Sequence, residues 1–202
     1  RSVSHQPTAF FYESALDELA ARAGKDPFAY RLAHLDEPRG RRVLETLQTL
    51  VASEEGAIGI AYSDAYGGYT AAAISVSLEE GYLQLNKIWA VADVGLAIDP
   101  DNVKAQIKGG IYFGLGPTLE GETQIENAVV VGNNLSDIGA LTPTGAPPIE
   151  VTLIDNPGEA PAGVGEIGTP LIAPALCNAI VAAGGPRIRT LPVSKSDLQV
   201  QI

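Results

Sequence analysis

"AIGIAYSDAYGGYTAAAISVSLEEGYLQLNKIWAVADV", residues 57–94, is where the apolar period of the chain changes from helical to extended. The runs 57–63 and 70–78 have the composition of strands and are separated by D-A-Y-G-G-Y, a turn-rich link. Glu79-Glu80-Gly81 is a connection of hairpin length into a third extended run, 82–94. Three strands joined by two short turns predict a hairpin-rich sheet, and the flanking segments must supply what covers it.

On the N-terminal side the spacing predicts three helices. Over 8–23, Phe11, Ala15, Leu19 and Ala23 recur every four residues, with Leu16 and Ala20 widening the stripe. Thr8 stands as N-cap and Gly24 as a left-handed C-cap. Asp26-Pro27 reads as the cap and first residue of a short helix carrying Phe28, Leu32 and Leu35. A third helix is expected over 39–52, with Val43, Leu44, Leu47, Leu50 and Val51 on one side.

On the C-terminal side, 102–115 reads as a helix although it holds Gly109, Gly110 and Gly114. Each interior glycine costs about 0.5–1 kcal/mol against alanine, so three imply close packing against backbone or a ligand. Residues 123–131 and 149–154 are further expected strands, joined by a long loop over 132–148 of the kind that carries function or moves. A last helix runs from Pro170 to Ala183, capped by Thr169 and Gly184, before a polar tail. The order predicts an α+β fold, helical over 1–55 and mixed over 56–202, without the alternation of a doubly wound sheet.

The formal net charge of −11 is spread along the chain, with no basic stripe to meet nucleic-acid phosphates or an anionic membrane. No apolar run approaches the roughly 20 residues that span a bilayer. With one cysteine, Cys177, and two histidines, His5 and His34, no structural zinc set is expected, and no cysteine set for an iron–sulfur cluster exists. The lack of methionine and the start at Arg1 predict a piece of a longer polypeptide.

No G-x-S-x-G elbow or phosphate-binding loop is present, and G-G-I-Y-F-G (109–114) lies within a helical run where a dinucleotide fingerprint would follow a strand. What remains is "APAGVGEIGTPLIAPALCNAI", residues 160–180, which sets Glu166 among glycines before a helix. By composition Glu166 is either a complement to the helix dipole or a general base on a short loop. A carboxylate pair with Asp155 or Glu159, serving hydrolysis, is a third arrangement the residues permit.

Three segments resemble, in order, motifs of the xanthine dehydrogenase and aldehyde oxidase family, the molybdenum hydroxylases. F-F-Y-E-S-A-L-D-E-L-A-A-R-A-G-K-D-P-F-A-Y-R-L (10–32) is similar to its E-S-x-x-D-E-L-A…G-x-D-P-x-x-x-R segment. D-V-G-L-A-I-D-P-D-N-V-K-A-Q-I-K-G-G-I-Y-F-G-L-G (93–116) is similar to its D-x-G…[ND]-P…Q-x-x-G-G segment. G-V-G-E-I-G-T-P (163–170) with G-G-P-R-I-R-T-L-P (184–192) resembles its C-terminal signature. The Arg1-Ser2-Val3 start is most similar to the isoquinoline 1-oxidoreductase and aldehyde dehydrogenase large subunits of the family.

The resemblance implies the C-terminal portion of a molybdenum-cofactor-binding domain. Glu166 would be the catalytic base, taking the proton from a Mo–OH group whose oxygen, derived from water, attacks an aldehyde or N-heteroaromatic carbon. Gln106, Gly109 and Gly110 would approach the pterin, and Gly163, Val164 and Gly165 would contribute backbone to the molybdenum pocket. The implied cofactors are molybdenum and molybdopterin, in its cytosine dinucleotide form, with iron–sulfur clusters on a partner subunit. The implied partners are that subunit, the remainder of the molybdopterin-binding subunit, and a small aldehyde or N-heterocycle as substrate. The family's other cofactor-holding loops are not in this chain, which implies that it supplies one wall of the site and is inactive alone. Compartment stays open between periplasm and cytoplasm. Trp89 and Cys177 read as core residues, Arg187 and Arg189 as structural, and 133–148 as a segment that could line the substrate pocket.

Overall fold

The three extended runs form an antiparallel meander, β1 (Ala57–Ala65), β2 (Gly68–Glu79) and β3 (Tyr82–Asp93). The computed structural model describes residues 1–132, 134 and 146–201. Both turns hold only two residues, Tyr66-Gly67 and Glu80-Gly81, with positive φ throughout, so strand twist and turn twist agree. β2 is central and buried on both faces. Ala72, Ile74 and Val76 point to one core, Ala71 and Ala73 to the other, which is the period-2 alternation of a pleated strand.

One face is covered by α3 (Pro38–Val51), whose Val43, Leu44 and Leu47 pack with Tyr62, Trp89 and Val91. That stripe is the one expected from the sequence, although Leu50 is only half-buried. α2 (Pro27–Ala33) precedes it, capped by Asp26, whose carboxylate accepts the Ala29 N–H at 2.9 Å.

The other face carries α4 (Pro100–Leu119) and α5 (Ile172–Ala182). α5 crosses β1 at Gly59, where a Cβ would collide with the backbone of Ala175 and Ala179. β6 (Ile149–Leu153) returns parallel to the end of β3 through α4. The result is an α+β fold with helices on both faces of a mixed sheet.

Four expectations need correction. First, α1 (His5–Arg22) starts before Thr8, and it buries Phe10, Glu13, Ser14 and Ala20 while Phe11 and Leu19 are exposed. Its inner face is partly polar, with Glu13 accommodated in the interior by Arg31, which donates to it at 2.7 Å, so a purely hydrophobic stripe points the wrong way. Second, 123–131 is two short strands, β4 (Gln124–Glu126) and β5 (Val129–Val131), reversed at Asn127-Ala128 with positive φ at both. Third, the tail forms β7 (Gln199–Gln201), parallel to the start of β3. Fourth, α5 starts at Ile172, and Thr169 does not cap it. The loop expected over 132–148 lies largely outside the described residues.

Candidate active site

The segment between β6 and α5 is an arm laid along one end of the sheet. Its first anchor is Asp93, fully buried at the end of β3. Asp93 accepts from Arg39 at 2.6 and 3.1 Å, from the Gly95 N–H at 3.0 Å and from Asn156 Nδ2 at 3.0 Å. Burial pushes its pKa up, but the hydrogen bonds of Arg39, Gly95 and Asn156 outweigh this and hold it below the ordinary range. Asn156 and Glu159, which faces Arg39 at 3.8 Å, thereby tie the arm to the sheet and to α3. Further along, Leu96 N–H donates to Glu159 at 3.0 Å, Ala162 N–H to Val94 at 2.9 Å and Gly163 N–H to Tyr66 at 3.0 Å.

Past Gly163 the arm turns toward the core. Val164 is half-buried against the α4–α5 core, whereas a Cβ on Gly165 would meet nothing within 4 Å among the described residues. The backbone carbonyl of Glu166 accepts the Ser2 hydroxyl at 2.7 Å and the Thr169 N–H at 3.1 Å. Thr169, fully buried, donates its hydroxyl to Gly110 O at 3.0 Å. α4 and the turn come this close because Gly110 and Gly168 lack side chains: a Cβ on Gly168 would lie 2.5 Å from Ile107 O, and one on Gly110 3.3 Å from Thr169 Oγ1. Gly110 and Gly114 thus meet backbone, one of the two purposes the glycines of α4 implied, whereas among the described residues Gly109 faces only the Arg1 side chain.

The Glu166 carboxylate itself stays part-exposed at this end of the sheet. A hydrogen bond from the Tyr66 phenol holds its pKa below the ordinary range against some desolvation, helped by the Ser2 N–H and by the amino group and guanidinium of Arg1. The helix dipole plays little part, because α5 begins only at Ile172 and its field fades within a turn. Burial and the Glu166 hydrogen bond push the Tyr66 phenol up, so it stays protonated and donates. His5 packs its ring on Tyr66 at 4.9 Å, and the Arg1 guanidinium sits 5.7 Å from the Phe113 ring and 3.7 Å from where a Gly109 Cβ would lie. Gln106 is exposed on α4, one turn before Gly110. The site therefore offers an ionised, solvent-facing carboxylate beside a glycine edge and a helix face, a set suited to accepting a proton near a bound group.

Other expected roles are settled by position. Trp89 is buried in the α3 core, with Lys87 Nζ 4.6 Å from its ring. Cys177 is fully buried on α5, its thiol pushed up to about 12 by burial. Arg187 donates to Asn178 Oδ1 at 2.6 Å and to Asp17 at 2.9 Å. Sequence reasoning missed Tyr66, Ser2 and His5. The available signal was an aromatic residue at the tip of a glycine-rich turn, where functional side chains concentrate.

A family profile for molybdopterin cofactor-binding domains matches residues 18–147 of the 202. The chain belongs to that family. The match takes in α4 and the Tyr66 turn and ends before Glu166. This molybdopterin cofactor-binding domain is 33% identical over 212 residues to the beta chain of isoquinoline 1-oxidoreductase from Brevundimonas diminuta, covering 100% of the chain and 27% of that protein. It is 29% identical over 218 residues to a nicotinate dehydrogenase subunit of Pseudomonas putida, covering 96% of the chain and 18% of that protein. The chain thus spans well under a third of either. Among solved structures, the aldehyde oxidoreductase from Desulfovibrio desulfuricans superposes with a TM-score of 0.50 at 28% identity, over 62% of this chain and 14% of that one. The domain accordingly falls within the molybdenum hydroxylases, as its three motifs imply.

Proposed function

We propose that this domain is the C-terminal part of the molybdopterin-binding subunit of a molybdenum hydroxylase that oxidises an aldehyde or N-heteroaromatic carbon with oxygen from water. Glu166 is its general base. The observation that carries this is Glu166 itself: an ionised, part-exposed carboxylate, set in the G-V-G-E motif beside the backbone of Gly165, at which a Cβ would meet no atom of the described residues within 4 Å.

That open edge and the exposed end of α4 fit a large flat ligand. Gly163, Val164 and Gly165 would offer backbone on one side, and Gln106 and Gly109 would offer an amide and a bare helix face on the other. Gly110 fixes how near α4 lies to the arm. Molybdopterin with molybdenum, in the cytosine dinucleotide form, supplies the two-electron redox chemistry when bound. Glu166 needs only to be ionised beforehand and to take a proton on a carboxylate oxygen; iron–sulfur clusters on a partner subunit would serve as electron acceptors. Exposed apolar side chains such as Phe11, Ile98 and Phe113 support a further portion of the subunit covering this chain, which by itself is inactive.

The test is Glu166→Gln in the complete enzyme. Turnover should be lost while molybdenum and pterin content stay at wild-type level. Ordinary turnover by the variant would overturn the assignment.

A further inference from the structure

We infer that Tyr66 is the positioning residue of Glu166: from the tip of the β1–β2 turn its phenol holds and aims the carboxylate, with His5 bracing the ring. This rests on Glu166 being the base. Four independent observations lead to it. Tyr66 takes φ +57° at the first position of a two-residue turn, a conformation favoured by glycine and asparagine and strained for a bulky aromatic residue. The side chain is 38% exposed, so burial in the core does not explain its presence there. The turn is locked to the catalytic arm, because Gly163 N–H donates to Tyr66 O at 3.0 Å and a Cβ on Gly163 would lie 3.2 Å from Tyr66 Cβ. Finally, the phenol is near enough to the Glu166 carboxylate to hold its pKa down, and the His5 ring packs on the phenol ring at 4.9 Å.

The phenol remains protonated and loses nothing to the reaction. Its effect is to keep Glu166 anionic at lower pH and to limit where the carboxylate can swing. Among the described residues, the charged or titratable groups acting on Glu166 are Tyr66, the amino group of Arg1 and the Arg1 guanidinium, with His5 packed on Tyr66 and Ser2 supplying neutral donors. Arg1 acts in the same sense as Tyr66, so removing the phenol weakens the stabilisation of the anion without abolishing it.

The test uses the complete enzyme with Tyr66→Phe and Tyr66→Asn. Asparagine suits the turn better than tyrosine, so that variant folds without strain and still lacks the phenol. Both should lose about 10- to 100-fold in kcat with KM little changed, as expected for a misplaced catalytic group. In both, the acid limb of the kcat/KM profile should move to higher pH. A readout free of turnover is carbodiimide labelling of Glu166, which needs the protonated carboxyl and is followed by peptide mass spectrometry; it should extend to higher pH in each variant. Wild-type turnover in Tyr66→Asn, with labelling and acid limb unmoved, would show that Tyr66 serves the turn alone and overturn the inference. Should Glu166→Gln itself turn over, the base assignment fails first, whatever the Tyr66 variants do.

Discussion

Two glutamates at opposite ends of the first and last motifs make the sharpest contrast in this molecule. Glu13 is 1% exposed on the inner face of α1, where Arg31 donates to it at 2.7 Å and Arg31 Nη2 also reaches Glu13 O at 3.0 Å. Asn178 of α5 donates to Ile60 O at 3.0 Å beside them, and Arg187 donates to Asn178, so the first and last motif segments are clasped through buried charge. Among the described residues, no cation forms an ion pair with the Glu166 carboxylate in that way. The group is part-exposed and, among the described residues, its pKa is held down by a phenol, a backbone N–H and the charges of Arg1. Burial pushes Glu13 up, with Arg31 opposing, whereas hydrogen bonds on an open carboxylate bring Glu166 down. The same residue type is a sealed fastening in one place and an available base in the other, because desolvation dominates the first and donors dominate the second.

This distinction fails if either glutamate behaves like the other. The largest expected effect is at Glu166, where glutamine should lower kcat by about 10²–10⁴-fold and leave the thermal unfolding midpoint at its wild-type value. The inverse is expected of the fastening. Arg31→Ala strands a buried carboxylate and should cost about 3–5 kcal/mol in denaturant unfolding, with turnover per folded molecule retained. Equal stability losses at Glu166 and Arg31 would erase the difference between them.

Asp93 stands between the two, because it is fully buried like Glu13 and low in pKa like Glu166. Its folded pKa lies below the unfolded value of about 3.9, so the stability it contributes is complete above that pH and is lost as pH falls through the folded value. Asp93→Asn should be less stable than wild type at neutral pH and should flatten the fall in stability below about pH 4. Parallel acid-unfolding curves for the two proteins would remove Asp93 from the account. The smallest effect is at Cys177. With its thiol buried and pushed up to about 12, it should resist alkylation in the native state and label only as fast as the chain opens. Arg31→Ala should therefore speed that labelling, and Glu166→Gln should not.

Elements whose signal is local were legible in the chain. The meander, the Asp26-Pro27 start of α2 and the apolar stripe of α3 follow from period, cap chemistry and turn residues a few positions apart. The inner face of α1 was not legible, since Glu13 is acceptable inside only because Arg31, eighteen residues away, is folded against it. Thr169 illustrates the same limit. Next to a helix start it has the chemistry of a cap, yet its hydroxyl is taken by Gly110 O, fifty-nine residues earlier. The tail at 199–201 is polar and short, and only the free edge of β3 makes it a strand.

The candidate site divides in a similar way. Three ordered motifs were enough to place the chain in its family, and with that came the α+β class and the glutamate of interest. The glycines of α4 were also enough to require close neighbours, because a bare helix face is unfavourable unless something approaches it. It took the folded chain to establish that Gly110 faces the protein's own turn, that Asp93 anchors the arm, and that Tyr66, one hundred residues before Glu166, is the group that meets its carboxylate. Local composition records what each segment can do. Which donors reach a carboxylate, and how much water is left on it, depends on contacts between segments far apart in the chain, and those set the charge and the role of Glu166.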